Sequence, residues 1–304
     1  MRQTLVLPFG DDAIARAAAL VRAGEPVAVA TETVYGLAAD ATNPIAVARI
    51  FTAKGRPSFN PLIVHVGSQY EAERLGVFDE QARALATRFW PGPLTLVVPA
   101  RPDNEIASLV TAGLLSIAIR VPAHRAIRAL LAATAVPLAA PSANASGRIS
   151  PTRATHVVRT LGGRIDLIVD DGATEIGLES SIVAATGGPL RLLRTGAVTV
   201  DGLSLDQPAV VEAPGQMAKH YAPAKPLRLD ASTSRNGEYL IGFGAIAGDA
   251  TLSATGDLVE AASRLFECLH DADASPAMSI GVAPVPAYGI GIAINDRLQR
   301  AAAS

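Results

Sequence analysis

PVAVATETVYGL, residues 26–37, is the stretch whose reading decides the fold. Pro26 to Ala30 form a short unbroken apolar run, which suits a strand buried on both faces. The run then breaks into Thr31, Glu32 and Thr33 and closes at Gly36. On the N-terminal side, Asp11 is placed to cap a helix with Ile14, Ala17, Ala18 and Val21 on one face and Gly24 as its stop. On the C-terminal side, Asn43-Pro44 opens a helix through Phe51 that closes near Gly55. Strands are expected at 62–66, 94–98, 116–121 and 165–170, and helices at 79–90, 123–133 and from Ser150-Pro151 to Gly162-Gly163. SIVAA (181–185) and LRLLR (190–194) read as a hairpin turning at Gly187-Gly188. The alternation predicts an α/β domain over 1–200 with a mixed, twisted sheet. Residues 201–226 hold four prolines and little periodicity and so read as a linker. Beyond them YLIGFG (239–244), a helix over 258–269, SIGVAPV (279–285) and a helix from Asn295 predict a small α/β domain over 227–304.

Composition narrows the function. Of the 304 residues 49% are hydrophobic, enough for a sizeable core, and 26 basic against 28 acidic residues give a net charge of −2. Nothing in that balance favours a nucleic-acid coat or a membrane-surface protein. The single cysteine, Cys268, excludes a disulfide framework or a Cys-based zinc site and fits a reducing compartment. The N-terminus lacks a signal-peptide core, and the most apolar stretch, Leu130 to Ala140, is about half a membrane span and contains Pro137. A soluble, cytoplasmic protein without membrane contact is expected. Lysine is used only at 54, 219 and 225, against 23 arginines.

No Walker loop, G-x-S-x-G elbow, H-E-x-x-H or C-x-x-C is present. The candidate chemistry lies in loops of small polar residues. Thr31 to Leu37 follows a strand's carboxyl end, where open α/β sheets gather ligands, or it is a plain turn closed by Gly36. Lys54 and Arg56, on the Gly/Pro-restrained loop through Asn60, make a phosphate clamp or complement a helix C-terminus. His65 interrupts an apolar strand, as a ligand or as a hydrogen-bonded core residue. Ser142, Asn144 and Ser150 supply hydroxyls and an amide suited to anion or ribose recognition, with capping as the other reading. Ser116 and Arg120 share a strand face, and Arg120 suits a carboxylate. Ser180 and Arg194 sit at the ends of the hairpin arms.

The ordered set TETVYGLAADA (31–41), KGRPSFNPLIVHV (54–66), WPGPLTLVV (90–98), IAIRVPAH (117–124), PLAAPSANASGRISPT (137–152), ESSIV (179–183) and LLRTGAV (192–198) resembles the YrdC-like threonylcarbamoyl-AMP synthases. PGQMAKHYAP (214–223) and a C-terminal domain ending GIAINDRLQRAA (291–302) resemble the family's long form. The resemblance implies a YrdC-like mixed twisted sheet with a Rossmann-like extra domain. It implies a nucleotidyltransferase that turns L-threonine, bicarbonate and ATP, with Mg²⁺, into threonylcarbamoyl-AMP and pyrophosphate. The product would feed a downstream transferase that modifies tRNA, with at most weak direct tRNA contact. Carried over by position, Thr33, His65, Arg120 and Ser180 hold threonine. Lys54, Arg56, Asn60, Ser116, Ser142, Asn144, Ser150, Arg194, His220 and Tyr221 hold ATP, Tyr35 walls the pocket, and no side chain ligates the metal. The linker departs from the family at Ala213 and at Gln216 to Ala218, with Lys219 adjacent, and Ala140 replaces a threonine of some relatives.

Physical chemistry agrees, since a carbamate attacking the α-phosphate needs positioning and charge stabilisation rather than a protein nucleophile. The linker, rather than the second domain, is expected to close over the site as a lid bearing Lys219, His220 and Tyr221. Two rivals remain: an RNA-binding module without catalysis, opposed by 4% aromatics and the charge balance, and a carbamoyl-adenylate enzyme using another amine, whose zinc-finger and acylphosphatase modules this chain lacks.

Overall fold

The computed structural model describes residues 3–200, 202–206, 212–215 and 220–303. In order the elements are β1 (Leu5–Pro8), α1 (Asp11–Arg22), β2 (Val27–Val29), β3 (Gly36–Asp40), α2 (Pro44–Lys54), β4 (Ile63–His65), α3 (Gln69–Leu75), α4 (Glu80–Phe89), β5 (Leu94–Pro99), α5 (Ser108–Thr111), β6 (Ser116–Arg120), α6 (Arg125–Thr134), β7 (Leu138–Ala139), α7 (Ala154–Leu161), β8 (Leu167–Asp170), β9 (Ser181–Ala184) and β10 (Arg191–Arg194). Then follow β11 (Leu227–Arg228), β12 (Glu238–Gly242), β13 (Ala250–Thr251), α8 (Leu258–Ala274), β14 (Ser279–Val282) and α9 (Gly291–Ala302). The first ten strands form one mixed sheet in the order β1-β8-β2-β3-β7-β4-β6-β5-β9-β10, and the last four form a parallel sheet in the order β11-β14-β12-β13.

Strand periodicity gives the large sheet two unlike faces. Val64, Leu96, Val98, Ile117, Ile119 and Val183 join α1, α2, α4, α6 and α7 in the main core. Their neighbours Ile63, Val97, Ala118, Ile182 and Ala184 point the other way, into a second cluster closed by Leu193 and by Ala213 of the linker. Because successive strand residues alternate faces, His65, Ser116 and Arg120 share this second face. The site is therefore built on the side of the sheet that the helices leave open.

Several elements differ from their sequence expectation. Asp11 lies inside α1, whose N-cap is Gly10 without a side-chain bond. Ser150 does not cap α7, which begins three residues beyond Pro151 after Arg153. Lys54 is the last residue of α2, and the αL residue that ends the helix is Gly55. The strand β3, inside the TETVYGLAAD reading, pairs antiparallel with β2 and so turns that stretch into a hairpin. Its residues are small and apolar on both faces, so they carry no alternation to read. The β9–β10 hairpin forms as expected, through Gly187 and Gly188 at positive φ.

Just past β10, Gly196 crosses the backbone of 179–181. A Cβ there would stand 2.4 Å from Ser181 N and 2.5 Å from the Glu179 carbonyl. Gly196→Ala is expected to cost about 1–3 kcal/mol and lower the melting temperature by several degrees. Gly10→Ser, where a Cβ meets nothing within 4 Å and serine suits the N-cap of α1, is the control and is expected to melt no lower than the parent.

Candidate functional site

The loop after β2 is fixed by a hydroxyl. Thr31 Oγ1 accepts from Thr33 N and Val34 N and donates to the Val34 carbonyl at 2.6 Å. Its proton being spent, the 2.8 Å contact between the Thr31 and Thr33 hydroxyls has Thr33 as donor. Thr33 Oγ1 in turn accepts from Arg120 Nη1 at 3.0 Å. Arg120 also donates Nε to the Gly92 carbonyl at 3.2 Å and Nη2 to Glu32 Oε1 at 2.5 Å. A guanidinium has five N–H groups, so one remains on each terminal nitrogen. Burial alone would raise the Glu32 carboxyl, but the Arg120 charge and hydrogen bond prevail and hold it at about 2. His65 lies beside Arg120 in the β4–β6 register. Burial, then the Arg120 charge, push its imidazole down to about 3, so it is neutral, and its Nδ1 has no hydrogen-bond partner among the described residues.

The other half of the site carries cations without a direct ion pair among the described residues. Arg194 donates Nε to the Ser180 carbonyl at 3.0 Å, Nη2 to Ser180 Oγ at 2.9 Å and Nη1 to the Pro214 carbonyl. Arg56 donates to the Asn60 and Pro61 carbonyls. Neither forms an ion pair with a described carboxylate. Burial lowers both, Arg56 to about 10; the Arg194 charge adds to the lowering at Arg56, and the Arg297 and Arg120 charges add to it at Arg194 against Tyr221 and Glu179. Lys54 is buried, with Nζ donating to the Ser142 and Asn144 carbonyls. Burial and then Arg56 depress its ammonium well below the usual lysine range. It is thus a strut between α2 and the 142–144 loop, standing at the end of the helix rather than on the loop after it.

Thr33, Arg56, His65, Arg120, Ser142, Ser180, Arg194, His220 and Tyr221 line one cavity. Ser150 sits behind it, its hydroxyl donating to Glu179 Oε1 at 2.5 Å. The Asn144 amide nitrogen is spent on the Ala145 and Arg148 carbonyls while its buried Oδ1 has no hydrogen-bond partner among the described residues, and the backbone carbonyl of buried Asn60 receives Arg56. Ser116 is on the same face as Arg120 but at the opposite end of β6, roughly 13 Å away at four strand rises. Tyr35 does not wall the cavity: it is fully buried, and its hydroxyl bonds to Asp170 and to the Gly172 carbonyl. Glu32 and Glu179, quoted in the sequence motifs without a role, are the carboxylates that organise the arginines. A lone acid in each small polar loop was the available signal.

The linker covers the site. Pro214, Gly215, His220 and Tyr221 are part of the lining, and the cavity beneath them is about 50 Å³, room for a few waters. Lys219 and Gln216 to Ala218 lie outside the described residues. The second domain shares in this cover, because His220 N donates to the Arg300 carbonyl and Arg297 lies 5.1 Å from the Tyr221 ring centre. Among the described residues no cluster of His, Cys, Asp and Glu could hold a metal ion, and no helix is long and apolar enough to cross a membrane.

A family model described as telomere recombination (Sua5, YciO, YrdC) matches residues 19–196, and one described as threonylcarbamoyl-AMP synthase, C-terminal domain, matches 190–303. The threonylcarbamoyl-AMP synthase of Bacillus subtilis is 40% identical, with 97% of this chain and 94% of that protein covered. That of Pyrococcus abyssi is 38% identical, covering 94% and 92%. The crystal structure of P. abyssi Sua5 complexed with L-threonine superposes with a TM-score of 0.90 at 35% identity, over 98% of both chains. Escherichia coli YciO, at 20% identity and a TM-score of 0.58 over 66% of this chain and 98% of its own, shares the fold alone.

Two outcomes follow from the burial. Lys54→Met strips two buried carbonyls of their donor and should cost about 1–3 kcal/mol, read as a lower melting temperature. A variant melting with the parent would contradict the strut. Burial also depresses His65, His156 and His220 to about 3 and His270 to about 4, from 6.5. The unfolded chain takes up these protons near 6.5 and the folded one does not. Their stabilisation is therefore whole above 6.5 and is lost as pH falls toward 4, at about 1.4 kcal/mol per histidine per pH unit. Urea unfolding at pH 7.5, 6 and 5 should show that steep loss, and a flat profile would refute it.

Proposed function

The chain belongs to the threonylcarbamoyl-AMP synthase family, and from that premise we propose how its buried side chains divide the work. The observation that carries the proposal is the unequal compensation of the buried arginines. Arg120 is paired with Glu32, whereas Arg56 and Arg194 rest on carbonyls and a hydroxyl. The first half suits a zwitterion and the second a polyanion.

L-Threonine binds on the Arg120 side. Its carboxylate takes the remaining N–H of each terminal nitrogen as a bidentate pair. Thr33 and Ser180 meet the hydroxyl, and neutral His65 lies beside the amine. Neutrality matters there, because the amine must be unprotonated to capture CO₂ from bicarbonate. ATP brings its Mg²⁺ on the phosphates, and the triphosphate lies among Arg56, Arg194 and the polar backbone held by Lys54. Ser142, Asn144, Ser150 and Ser116 serve the nucleoside or shape the loops that hold it. The carbamate oxygen attacks the α-phosphorus, a bond to that oxygen forms, and the bond to the pyrophosphate oxygen breaks. Arg56 and Arg194 receive charge that grows on the leaving group and need no reorganisation to do so.

A cavity of about 50 Å³ is far smaller than a nucleotide requires. ATP therefore enters when residues 212–215 and 220–222 lift, and their return shields the carbamate from water. We place the reaction in the cytoplasm, where the product serves a transferase acting on tRNA. Structural likeness to a nucleotide-bound HypF, at 17% identity, is a likeness of fold, and gives no support to another amine as substrate.

Mass spectrometry of a reaction holding ATP, bicarbonate and threonine should show threonylcarbamoyl-AMP. Its absence, with pyrophosphate released on another amine, would favour the rival. Arg120→Ala should raise the KM for threonine by tens- to hundreds-fold and that for ATP much less. Arg194→Met should do the reverse. Equal losses for both substrates in either variant would refute the division.

A further inference from the structure

The last helix of the second domain carries one fully buried arginine. Arg297 lies on α9 at 0% exposure. Its Nε donates to Glu179 Oε2 at 2.9 Å, its Nη2 to the Thr195 carbonyl at 2.7 Å and its Nη1 to Asp296 Oδ2 at 2.6 Å. Glu179 immediately precedes Ser180, and Thr195 immediately follows Arg194. One guanidinium from the second domain thus clamps the two chain segments whose side chains, Ser180 and Arg194, hydrogen-bond each other inside the cavity.

We propose that Arg297 is a positioning residue of the synthase: by occupying the Glu179 carboxylate it keeps Arg194 on Ser180 and free for the phosphates of ATP. The proposal rests on the reading that Arg194 meets those phosphates.

The groups facing Glu179 can be named. They are Ser150 from the loop before α7, Arg194 from the end of β10, Arg297 from α9, and His220 and Tyr221 from the linker, while Asp296 shares Arg297 with the carboxylate. Ser150 and Arg297 hydrogen-bond the carboxylate, and Arg194 stands near enough for its charge to stabilise it. Burial alone would raise the Glu179 carboxyl, yet Arg297 and then Arg194 bring it down. Without Arg297 the ionised carboxylate has one cation left nearby. A buried unpaired charge is costly, so Arg194 turns from Ser180 to Glu179, and the nucleotide half of the site loses its free cation. Tyr221 also loses the guanidinium beside its ring.

The test uses the full chain, with KM values for ATP and threonine from pyrophosphate release and thermal unfolding for each variant. Arg297→Met should raise the KM for ATP about tenfold or more and that for threonine less than about threefold. Neutralising the partner should rescue: Glu179→Gln with Arg297→Met should bind ATP within about threefold of Glu179→Gln alone, since a neutral amide has no claim on Arg194. A folded Arg297→Met with unchanged KM for ATP would overturn the proposal, and so would a double variant as impaired as Arg297→Met. If Arg297→Met loses its cooperative transition, the two Glu179→Gln proteins decide alone. Equal KM values for ATP support the positioning role, and a further tenfold loss assigns Arg297 to packing. Arg194→Met separates the premises: if it leaves the KM for ATP unchanged, the reading of Arg194 fails. If it is impaired while Arg297→Met is not, only the inference on Arg297 fails.

Discussion

A guanidinium keeps its charge at any working pH, so every arginine folded into this protein must be met by acceptors or by a counter-charge. Four are nearly or fully buried around one cavity or behind it: Arg56, Arg120, Arg194 and Arg297. Arg120 and Arg297 are met by Glu32 and Glu179. Arg56 and Arg194 are met by carbonyls and the Ser180 hydroxyl. Two solutions to the same desolvation problem thereby give the site two electrostatic halves. Neutral hydrogen-bond acceptors hold a guanidinium's direction without cancelling its charge, which leaves that charge for a ligand.

The same excess of positive charge governs the neighbouring bases. Lys54 is depressed by burial and then by Arg56, and His220 by burial, with Arg56, Lys54 and Arg194 adding to it and Glu179 opposing. An anion bound among these groups acts in the opposite sense and draws protons back to them. Any anion held on this side would therefore be coupled to protonation, whereas on the Arg120 side the ion pair with Glu32 already balances the charge. His65 stays neutral there because burial and Arg120 both favour the neutral ring.

Much of this was legible in the sequence, for identifiable reasons. The Asn43 cap, the Gly55 stop and the Gly187-Gly188 hairpin are local chemistry, and local chemistry survives folding. Thr33, His65, Arg120 and Ser180 come together in the sequence only through the family resemblance, since strand alternation by itself places just Ser116 and Arg120 on one face. What stayed hidden depended on long-range partners. Lys54 read as a loop cation, since nothing local announces that carbonyls 88 and 90 residues away will receive it. Tyr35 read as a wall, yet its hydroxyl is claimed by the turn after β8. Arg297 did leave a trace. It falls on the apolar stripe of Ile294, Leu298 and Ala301, and an arginine at such a position calls for a buried acid elsewhere.

The cover over the site and the docking of the second domain share one apolar cluster. Val34, Ile149 and Leu178 of the first domain are buried in one cluster with residues of α8, α9 and the second sheet. Together with the Arg297–Glu179 pair they form an apolar, fully desolvated junction. Of the cover, Ala213 packs on the open sheet face, whereas Tyr221 is buried in the same cluster as the junction, stacked on Phe266 with Arg297 beside its ring. Backbone bonds run from His220 to Arg300 and from Ala222 to Gly147. Net contributions of about 1 kcal/mol per hydrogen bond are small beside the cost of exposing the Tyr221 ring, so residues 212–215 are the cheaper part of the cover to move and Tyr221 the costlier. Moving 212–215 while α9 stays docked keeps Glu179 paired with Arg297 and Arg194 on Ser180, so the cavity can open at that end without losing the geometry beneath it.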